Sequence, residues 1–228
     1  MQHARMRVHS TSPVKAAPPR LRFEPVVHLV KGDVACTLAE SPKRFEELAA
    51  FGPSGLVSEA AGPAEWLANQ IEDAAMYARV NDIAIRPIHL EAPVAAMMHP
   101  DTPVACEAAV ARSRLLPQEI CIEVSDSSLA QSRNDVLKSI ESLRRKGFRL
   151  GVNATQSWST PMDTSLRLLL DTVRIDAREL DGNPDLIGRI DAAACCGMSV
   201  IAEGARYRDG AELAEMGIEL AIRPSTDA

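Results

Sequence analysis

Short, largely apolar runs recur along the second half of the chain, and segments with helical periodicity separate them. The runs are Glu119–Val124, Phe148–Val152, Thr172–Ile175, Ser199–Ala202 and Leu220–Ile222. Runs without regular polar alternation are typical of parallel strands that are covered on both faces. Their spacing of roughly 20–30 residues indicates consecutive βαβ units. The pattern therefore predicts an α/β fold built on parallel strands.

Helices are predicted between these strands, and several have recognisable ends. They are Asp135–Lys146, a helix near Asp163–Leu170, a helix that begins at Asn183 with Pro184 in the first position, and Asp209–Met216. Ser132 and Asp135 have the spacing of a capping box, and Gly147 is a typical residue at a helix end.

The first half is less regular. Leu21–Leu29 and Val34–Leu38 predict a hairpin around Gly32, which makes the first strand a candidate for an antiparallel one. Further predicted elements are helices at Lys43–Phe51, Ala64–Asn81 and Thr102–Ser113 and a short strand at Ile83–Ile88. Eight strand candidates in one chain favour a closed TIM-like (β/α) barrel, trimmed relative to the usual size of about 250 residues. An open doubly wound sheet is disfavoured because the chain has no nucleotide-binding glycine motif.

Charge is distributed unevenly along the chain. Residues 1–20 contain only basic charges, at Arg5, Arg7, Lys15 and Arg20, whereas the whole chain has a net charge of −6. We therefore predict a flexible, basic, proline-containing tail over 1–20 and one barrel domain over 21–228. The acidic domain and the aromatic content of 4% argue against a nucleic-acid partner.

Cysteine content and apolar run lengths bear on location. The five cysteines are odd in number and form no Cys-x-x-Cys pair, which argues against a disulfide framework or a structural zinc site. A reducing cytoplasm is the expected location. No apolar run approaches the roughly 18–20 residues that a membrane span needs, so no membrane span is expected.

Polar residues follow several of the apolar runs. Glu123, Asn153, Asp176 and Glu203 stand at predicted carboxyl ends of strands, where (β/α) barrels place their working face. Three carboxylates and an amide suit a divalent metal that prefers oxygen ligands. The alternative is that these residues cap helices or pair with a base such as Arg174.

Several segments together carry a family resemblance. They are EPVVHL before Gly32, Leu38-Ala39-Glu40, Glu123-Val124-Ser125-Asp126, LRRKGFRLGVNATQ, Arg174-Ile175-Asp176 and Ile201-Ala202-Glu203-Gly204-Ala205-Arg206. From Leu21 to Arg223 the chain resembles the EAL domain of bacterial cyclic di-GMP phosphodiesterases, most strongly over Cys121–Leu220. The resemblance implies a TIM-like barrel and a two-metal phosphodiesterase site at its mouth.

The chain departs from that family at most of the functional positions that the resemblance assigns. The metal-binding Glu falls on Leu38, the phosphate-gripping Arg on Pro42, the Asn ligand near Ile88 or His89, the Asp-Asp pair on Asn153-Ala154, the catalytic Lys on Arg174, the second Glu of the last motif on Arg206, and the late Gln near Ile222. Only Glu123, Asp176 and Glu203 match. The resemblance thus implies a vestigial site made of Glu123, Asn153, Arg174, Asp176 and Glu203.

Two-metal hydrolysis needs carboxylates that bridge the ions and lower the pKa of the attacking water. Asn153 and Ala154 supply neither, and Leu38 places an alkyl group where an anion is required. We therefore predict a catalytically inactive domain with no catalytic residue, no metal and no cofactor. Whether His89 or His28 restores a metal ligand stays open, and a hydrogen-bonded histidine is the favoured alternative.

Two functions compete for a domain of this kind. The first is a regulator in bacterial signalling, related to motility or biofilm formation, which acts on an unidentified regulatory or motility protein and is a candidate homodimer. The alternative is a non-hydrolysing cyclic di-GMP receptor in which Arg174 and Arg206 bind phosphate. We expect cyclic di-GMP binding to be weak or absent. The Ser41–Pro117 half, with Trp66 and Tyr77 as exposed candidates, is the expected partner surface, although core packing is the alternative for each ring.

Overall fold

The eight strands of the described chain close into one barrel in the order of the sequence. The computed structural model describes residues 21–41, 62–161 and 163–226. The strands are β1 (Arg22–His28), β2 (Val34–Glu40), β3 (Ile88–Ala92), β4 (Ile120–Ser125), β5 (Arg149–Asn153), β6 (Thr172–Asp176), β7 (Ser199–Glu203) and β8 (Leu220–Ile222). β1 is antiparallel to β2 and to β8, and the other neighbouring pairs are parallel. The predicted TIM-like α/β barrel is confirmed, including its antiparallel first strand.

Helices cover the outside of the barrel. They are α1 (Pro63–Val80), α2 (Val94–Met97), α3 (Thr102–Ser113), α4 (Asp126–Gln131), α5 (Arg133–Arg145), α6 (Thr164–Arg167), α7 (Pro184–Cys195) and α8 (Gly210–Glu215). Short 3₁₀ turns lie at Pro117–Glu119, Ala177–Glu179 and Tyr207–Asp209. Helix α1 packs against α3 and β3, and its buried face includes Leu67 and Ile71.

Alternation along each strand separates the main core from the barrel interior. In β4, the side chains of Ile120, Ile122 and Val124 belong to the core that the helices cover. Successive side chains of a strand point to opposite faces, so Cys121 and Glu123 face the interior. The strand that looked almost wholly apolar thus carries a carboxylate into the middle of the barrel.

A small apolar cluster fills part of that interior. It consists of Val26, Cys36, Leu38, Ile201 and Ile222, with Leu220 packed against it. Leu38 is only 2% exposed. The interior is therefore apolar around this cluster, whereas β3 to β6 carry polar side chains into it.

The third strand begins later than its sequence suggests. The prediction of a strand at Ile83–Ile88 is wrong, because β3 pairs with β2 only from Ile88 onward. Pro87 immediately before it has no N–H to donate to a strand ladder. Ile88, Leu90 and Ala92 are buried in the main core, which leaves alternate residues of β3 for the interior.

The predicted capping box at Ser132 is also wrong. The Ser132 side chain makes no cap hydrogen bond, and α5 begins directly at Arg133. Ser132 already ends α4, where its N–H donates to the Ser128 carbonyl. The carboxylate of Asp135 instead pairs with Lys138, at 3.1 Å. Gly147 follows α5 with a φ of +91°, as expected of a glycine after a helix.

Of the two following helices, α6 is shorter than predicted and α7 begins where predicted. The helix predicted near Asp163–Leu170 is reduced to α6, whose first turn is capped by the Asp163 carboxylate as it accepts from the Leu166 N–H. Helix α7 begins with Pro184, as predicted, and the Asn183 side chain accepts from the Leu186 N–H at 3.1 Å.

Some predictions lie outside the described residues, namely the tail over 1–20 and the helix at Lys43–Phe51. Within residues 21–41, 62–161 and 163–226, no helix is long and apolar enough to cross a membrane. The five cysteines are free thiols, three buried and two exposed.

Candidate functional site

The carboxyl ends of the central parallel strands bring one polar side chain each to the mouth of the barrel. Glu91 of β3 is level with Glu123 of β4, and Asn153 of β5 is level with Arg174 of β6. Glu203 ends β7. Above them lies a cavity of about 630 Å³, called the mouth cavity here, whose lining includes Glu40, Gln70, Glu91, Asn153, Arg174 and Glu203. Four of the five residues predicted as a vestigial site therefore lie together.

Arg174 is the centre of this group. Its side chain is buried, and Nη2 lies 2.9 Å from Oε2 of Glu123 and 3.6 Å from Oε2 of Glu91. Nη1 lies 3.9 Å from Oε2 of Glu203. Burial alone lowers the pKa of a guanidinium, but these carboxylates outweigh it and raise the pKa of Arg174. Arg174 is thus a permanent cation fixed among three carboxylates.

Glu123 is almost completely buried, at 1% exposure, and is ionised. Burial raises the pKa of a carboxyl group, but the Arg174 guanidinium and the His89 ring together lower the pKa of Glu123 to about 2. Nδ1 of His89 lies 2.8 Å from Oε1 of Glu123, so Glu123 has a charged or hydrogen-bonding partner on each oxygen.

His89 faces the barrel interior and is 1% exposed. Burial lowers its pKa, but contacts with Cys121, Cys36 and Glu123 outweigh burial and raise the pKa of His89 well above its ordinary value. The ring therefore serves as a proton donor to Glu123. The geometry supports the hydrogen-bonded alternative for His89 rather than a restored metal ligand.

His28 lies at the other end of the barrel. It pairs with Leu220, the first residue of β8, whereas the mouth lies at the carboxyl ends of the parallel strands. Its Nε2 is 3.4 Å from Oε2 of Glu219. His28 is therefore far from Glu123 along the barrel axis and contributes nothing to the mouth.

A second buried carboxylate at the mouth is also neutralised within the chain. Glu24 of β1 is 4% exposed and is level with Leu38. Nε of Arg22 lies 2.5 Å from one of its oxygens, and Arg223 forms an ion pair with the other. These cations, like Arg174, are already engaged by carboxylates of the same chain.

Both the oxygen and the nitrogen of the Asn153 side chain form hydrogen bonds near the ends of β5 and β3. Its Oδ1 accepts hydrogen bonds from the N–H and the hydroxyl of Thr155, at 3.1 and 2.8 Å, and its Nδ2 donates to Glu91 at 3.3 Å. Ala154 is buried. This pair, to which the resemblance assigns two acidic residues, therefore offers no carboxylate, and its one side-chain oxygen already accepts two hydrogen bonds.

Asp176 and Arg206 do not join the mouth cavity. Arg178 donates to both Asp176 oxygens, from Nε at 2.8 Å and from Nη2 at 2.6 Å, and this lowers the pKa of Asp176. Asp176 lines a separate cavity of about 260 Å³. Arg206 donates from Nε to Asp209 at 2.7 Å. The expected phosphate-binding pair of Arg174 and Arg206 is therefore not assembled.

Sequence reasoning missed Glu91 and Gln70. Glu91 was missed because the third strand was predicted at Ile83–Ile88, and those bounds leave Glu91 in a loop. Gln70 reaches the cavity from α1, one helical turn beyond Trp66. The only sequence signal for Gln70 was its spacing of four residues from Trp66, which places the two side chains on one face of the helix.

Trp66 and Tyr77 are both partly buried, which agrees with core packing, the alternative to exposure, for each ring. Trp66 packs against the main core and lines the mouth cavity. The ring of Tyr77 stacks on Phe23, with centroids 4.9 Å apart.

The metal site that the resemblance implies does not fit these side chains. Within the described ranges, no group of three His, Cys, Asp or Glu residues is arranged to hold a metal ion. The guanidinium of Arg174 lies beside Glu123 and Glu203, where it repels a cation, and Leu38 contributes only an apolar surface.

Comparisons with known proteins agree with this architecture. The model of the EAL domain family matches residues 20–221. Solved structures with the same fold include BlrP1 of Klebsiella pneumoniae in complex with manganese and cyclic di-GMP, at a TM-score of 0.70 and 18% identity over 92% of this chain and 56% of that one. This chain thus spans just over half the length of BlrP1.

Two further structures are similar over most of their own length. The PaMucR phosphodiesterase in complex with cyclic di-GMP has a TM-score of 0.69 at 18% identity, over 89% of this chain and 92% of that one. The EAL domain of Mycobacterium smegmatis DcpA has a TM-score of 0.68 at 18% identity, over 89% and 88%. No curated protein matches the chain significantly by sequence. Because the family model matches most of the chain and the barrel has the same topology, the chain belongs to the EAL domain family.

Proposed function

We propose that this EAL domain acts in cyclic di-GMP signalling without hydrolysing the dinucleotide, and that it works through contacts with a protein partner. One observation carries the proposal: the Arg174 guanidinium lies 2.9 Å from the buried Glu123 carboxylate and within 4 Å of Glu91 and Glu203. The resemblance also assigns a cation, the catalytic Lys, to this position, but here the guanidinium pairs directly with Glu123, and Leu38, Asn153 and Ala154 add no carboxylate that could hold an ion.

The consequence for hydrolysis is electrostatic. Metal-assisted hydrolysis at neutral pH needs an ion that lowers the pKa of the attacking water. A divalent ion placed beside Glu123 would have to displace a guanidinium that is itself buried and lies farther from Glu91 and Glu203, at 3.6 and 3.9 Å, than from Glu123. Neither Asn153 nor Leu38 supplies a replacement charge.

The alternative is a receptor that binds cyclic di-GMP without cleaving it, and the cavity of about 630 Å³ gives it some support. The charges oppose it. A cyclic dinucleotide carries two phosphate anions, whereas the carboxylates of Glu40, Glu91 and Glu203 line the cavity and Arg174 is its one lining cation among the described residues. Arg206, the second expected phosphate ligand, pairs with Asp209.

The partner is proposed to be a regulatory or motility protein or a second copy of this chain, in the cytoplasm. Helices α1 and α3 pack against each other, and both carry exposed apolar side chains. Met76 and Val80 of α1 are 52% and 78% exposed, and Val104 of α3 is 60% exposed. These residues lie in the half of the chain where the family resemblance is weakest.

The hydrolysis test incubates the chain with cyclic di-GMP and magnesium or manganese and measures the linear product by chromatography. An active EAL phosphodiesterase is the positive control, and we expect no product from this chain. Product that disappears in a folded Glu123→Gln variant would overturn the proposal. Product that persists in that variant identifies a contaminating enzyme, and the preparation is then repurified and assayed again.

Binding is tested by calorimetric titration with cyclic di-GMP, with and without magnesium. Submicromolar binding that is lost in Arg174→Ala would establish the receptor instead. Protein contacts are tested by pull-down and by sedimentation of the purified chain. We expect the contact to be lost in Val80→Glu and kept in Leu168→Glu, a control at a residue of the same exposed class, at 74%.

A further inference from the structure

Two adjacent exposed thiols lie at the end of helix α7. Cys195 is the last residue of the helix, and Cys196 is the residue that follows it. Both are exposed, whereas Cys36, Cys106 and Cys121 are buried. Because the two thiols share one helix end and both face solvent, a difference in their reactivity toward charged reagents reflects the side chains beside them.

Those neighbouring side chains carry opposite charges. The Cys195 thiol donates to Oδ1 of Asp191, one turn back in the same helix, with the two atoms 3.9 Å apart. The guanidinium of Arg167, in α6, donates from Nη1 to Sγ of Cys196 at 3.8 Å. A reagent that reaches Cys195 therefore meets a carboxylate, and a reagent that reaches Cys196 meets a cation.

The charge of Arg167 is not neutralised by another side chain of the described ranges. Over residues 21–41, 62–161 and 163–226, Arg167 forms no ion pair with a carboxylate, and its side-chain hydrogen bond is the contact with Cys196. Arg133, by contrast, forms an ion pair with Asp163. An accessible thiol beside a cation is the setting in which protein cysteines react selectively.

We propose that Cys196 is a site of reversible modification by an anionic disulfide of the glutathione class, and that Arg167 selects it over Cys195. The Cys196 thiolate attacks one sulfur of the disulfide, a new sulfur–sulfur bond forms as the old one breaks, and one glutathione leaves as a thiolate that takes up a proton. Cys196 is oxidised and half of the reagent is reduced, so no further oxidant is needed. The carboxylates of the reagent are attracted by Arg167 at Cys196 and repelled by Asp191 at Cys195.

This inference goes beyond the proposed function and does not rest on it. Cys195 and Cys196 lie just before β7 begins, at the end of the barrel opposite the mouth. The modification adds an anionic group to the surface beside α6 and α7, and excess reduced glutathione removes it. The site therefore couples the surrounding thiol pool to the charge on this end of the barrel.

Rates of single thiols test the selection by charge. Cys195→Ser leaves Cys196 as the exposed thiol, and Cys196→Ser leaves Cys195. Each folded variant is treated with glutathione disulfide, with the neutral bis(2-hydroxyethyl) disulfide and with the cationic cystamine, and mass spectrometry follows the adduct. Relative to the neutral reagent, we expect glutathione disulfide to favour Cys196 roughly fivefold and cystamine to favour Cys195. Added salt should reduce both preferences.

Arg167→Met, made in the Cys195→Ser chain, tests the role of the guanidinium. We expect Cys196 to react roughly fivefold more slowly with glutathione disulfide and at an unchanged rate with the neutral reagent. A purely structural effect would change the rates of all three reagents alike. Arg112→Met removes an exposed arginine of α3, which precedes β4 rather than β7, and is the matched control that should leave every rate unchanged. Circular dichroism confirms that each variant is folded.

The outcomes separate this inference from the proposed function. The same preference between the two thiols with all three reagents would overturn it, as would equal slowing by Arg167→Met and Arg112→Met. If Arg167→Met does not fold, the three reagents applied to the two single-thiol variants decide the proposal without it. Hydrolysis of cyclic di-GMP would overturn the proposed function and leave the assignment of Cys196 unaffected.

Discussion

Replacement of Arg174 by methionine tests the central ion pair most directly. Methionine keeps much of the volume of the arginine side chain but leaves the buried Glu123 carboxylate without its guanidinium. Removal of one partner from a buried ion pair typically costs about 3–5 kcal/mol, because the other charge stays buried and uncompensated. We therefore expect Arg174→Met to lower the free energy of unfolding substantially at pH 7.

The pKa of Glu123 gives a second measure of this cost. A fall from 4.5 to about 2 corresponds to about 3 kcal/mol of stability, at about 1.4 kcal/mol per unit. Because the pKa is lowered in the folded chain, this stability is present above pH 4.5 and is lost as the pH falls toward 2. His89 supplies part of it. We expect a loss of about 3 kcal/mol in Arg174→Met at pH 7, and a smaller difference from the unmodified chain at pH 3.

Urea unfolding followed by circular dichroism at pH 7 and pH 3 measures both quantities. The matched control is Arg178→Met, because Arg178 also pairs with a carboxylate near the end of β6 but is 73% exposed. An exposed pair of this kind contributes little to stability, because solvent screens it. The double variant Arg174→Met with Glu123→Gln should recover part of the loss, since it removes the buried charge.

Two results would refute this reasoning. Equal losses in Arg174→Met and Arg178→Met would show that burial does not strengthen the Arg174 pair. A loss in Arg174→Met that grows rather than shrinks as the pH falls from 4.5 would show that Glu123 is not the group left uncompensated.

Three further predictions concern the interior, the packing and the thiols. His89 should stay protonated well above its ordinary pKa of 6.5, as shown by imidazole nitrogen shifts in an NMR titration, and a midpoint at or below 6.5 would contradict the contact with Glu123. Gly151→Ala should destabilise the barrel, because the added Cβ would lie 2.4 Å from Oγ1 of Thr172. Gly188→Ala in α7 should stabilise the barrel by about 0.5–1 kcal/mol, because the added Cβ meets nothing within 4 Å and alanine favours a helix. Thermal unfolding compares the two variants, and equal effects would contradict the close approach of Gly151 to Thr172. Iodoacetamide should label two thiols in the folded chain and five after unfolding, and mass spectrometry should place the two at Cys195 and Cys196 rather than at the buried Cys36, Cys106 and Cys121.

The sequence determined the barrel and most of its strands. β4 to β8 begin within one residue of their predicted starts, because parallel strands covered on both faces must be short apolar runs. The strand ends also placed Glu123, Asn153 and Glu203 at the same mouth, together with Asp176, which instead lines a separate cavity. That inference needs no side-chain detail, since the carboxyl ends of parallel strands in a barrel all meet at one rim.

The tertiary structure decided which of these charges meet. Arg174 reaches across to Glu123, whereas Asp176 and Arg206 pair with Arg178 and Asp209, two and three residues away. A sequence gives the candidate ion-pair partners of each charged side chain but not the distances between strands or the depth of burial. Those distances and that burial decide whether a local or a cross-strand partner is the nearer one.

Tertiary structure alone also brought Gln70 and Glu91 to the mouth cavity. Gln70 arrives from a helix on the outside of the barrel, and Glu91 depends on where β3 begins to pair with β2. A shift of one residue in a strand moves every side chain to its other face, so the register of β3 had to be known before Glu91 could be placed. The order of the residues specified the barrel, and the packing of its strands and helices specified the contents of its mouth.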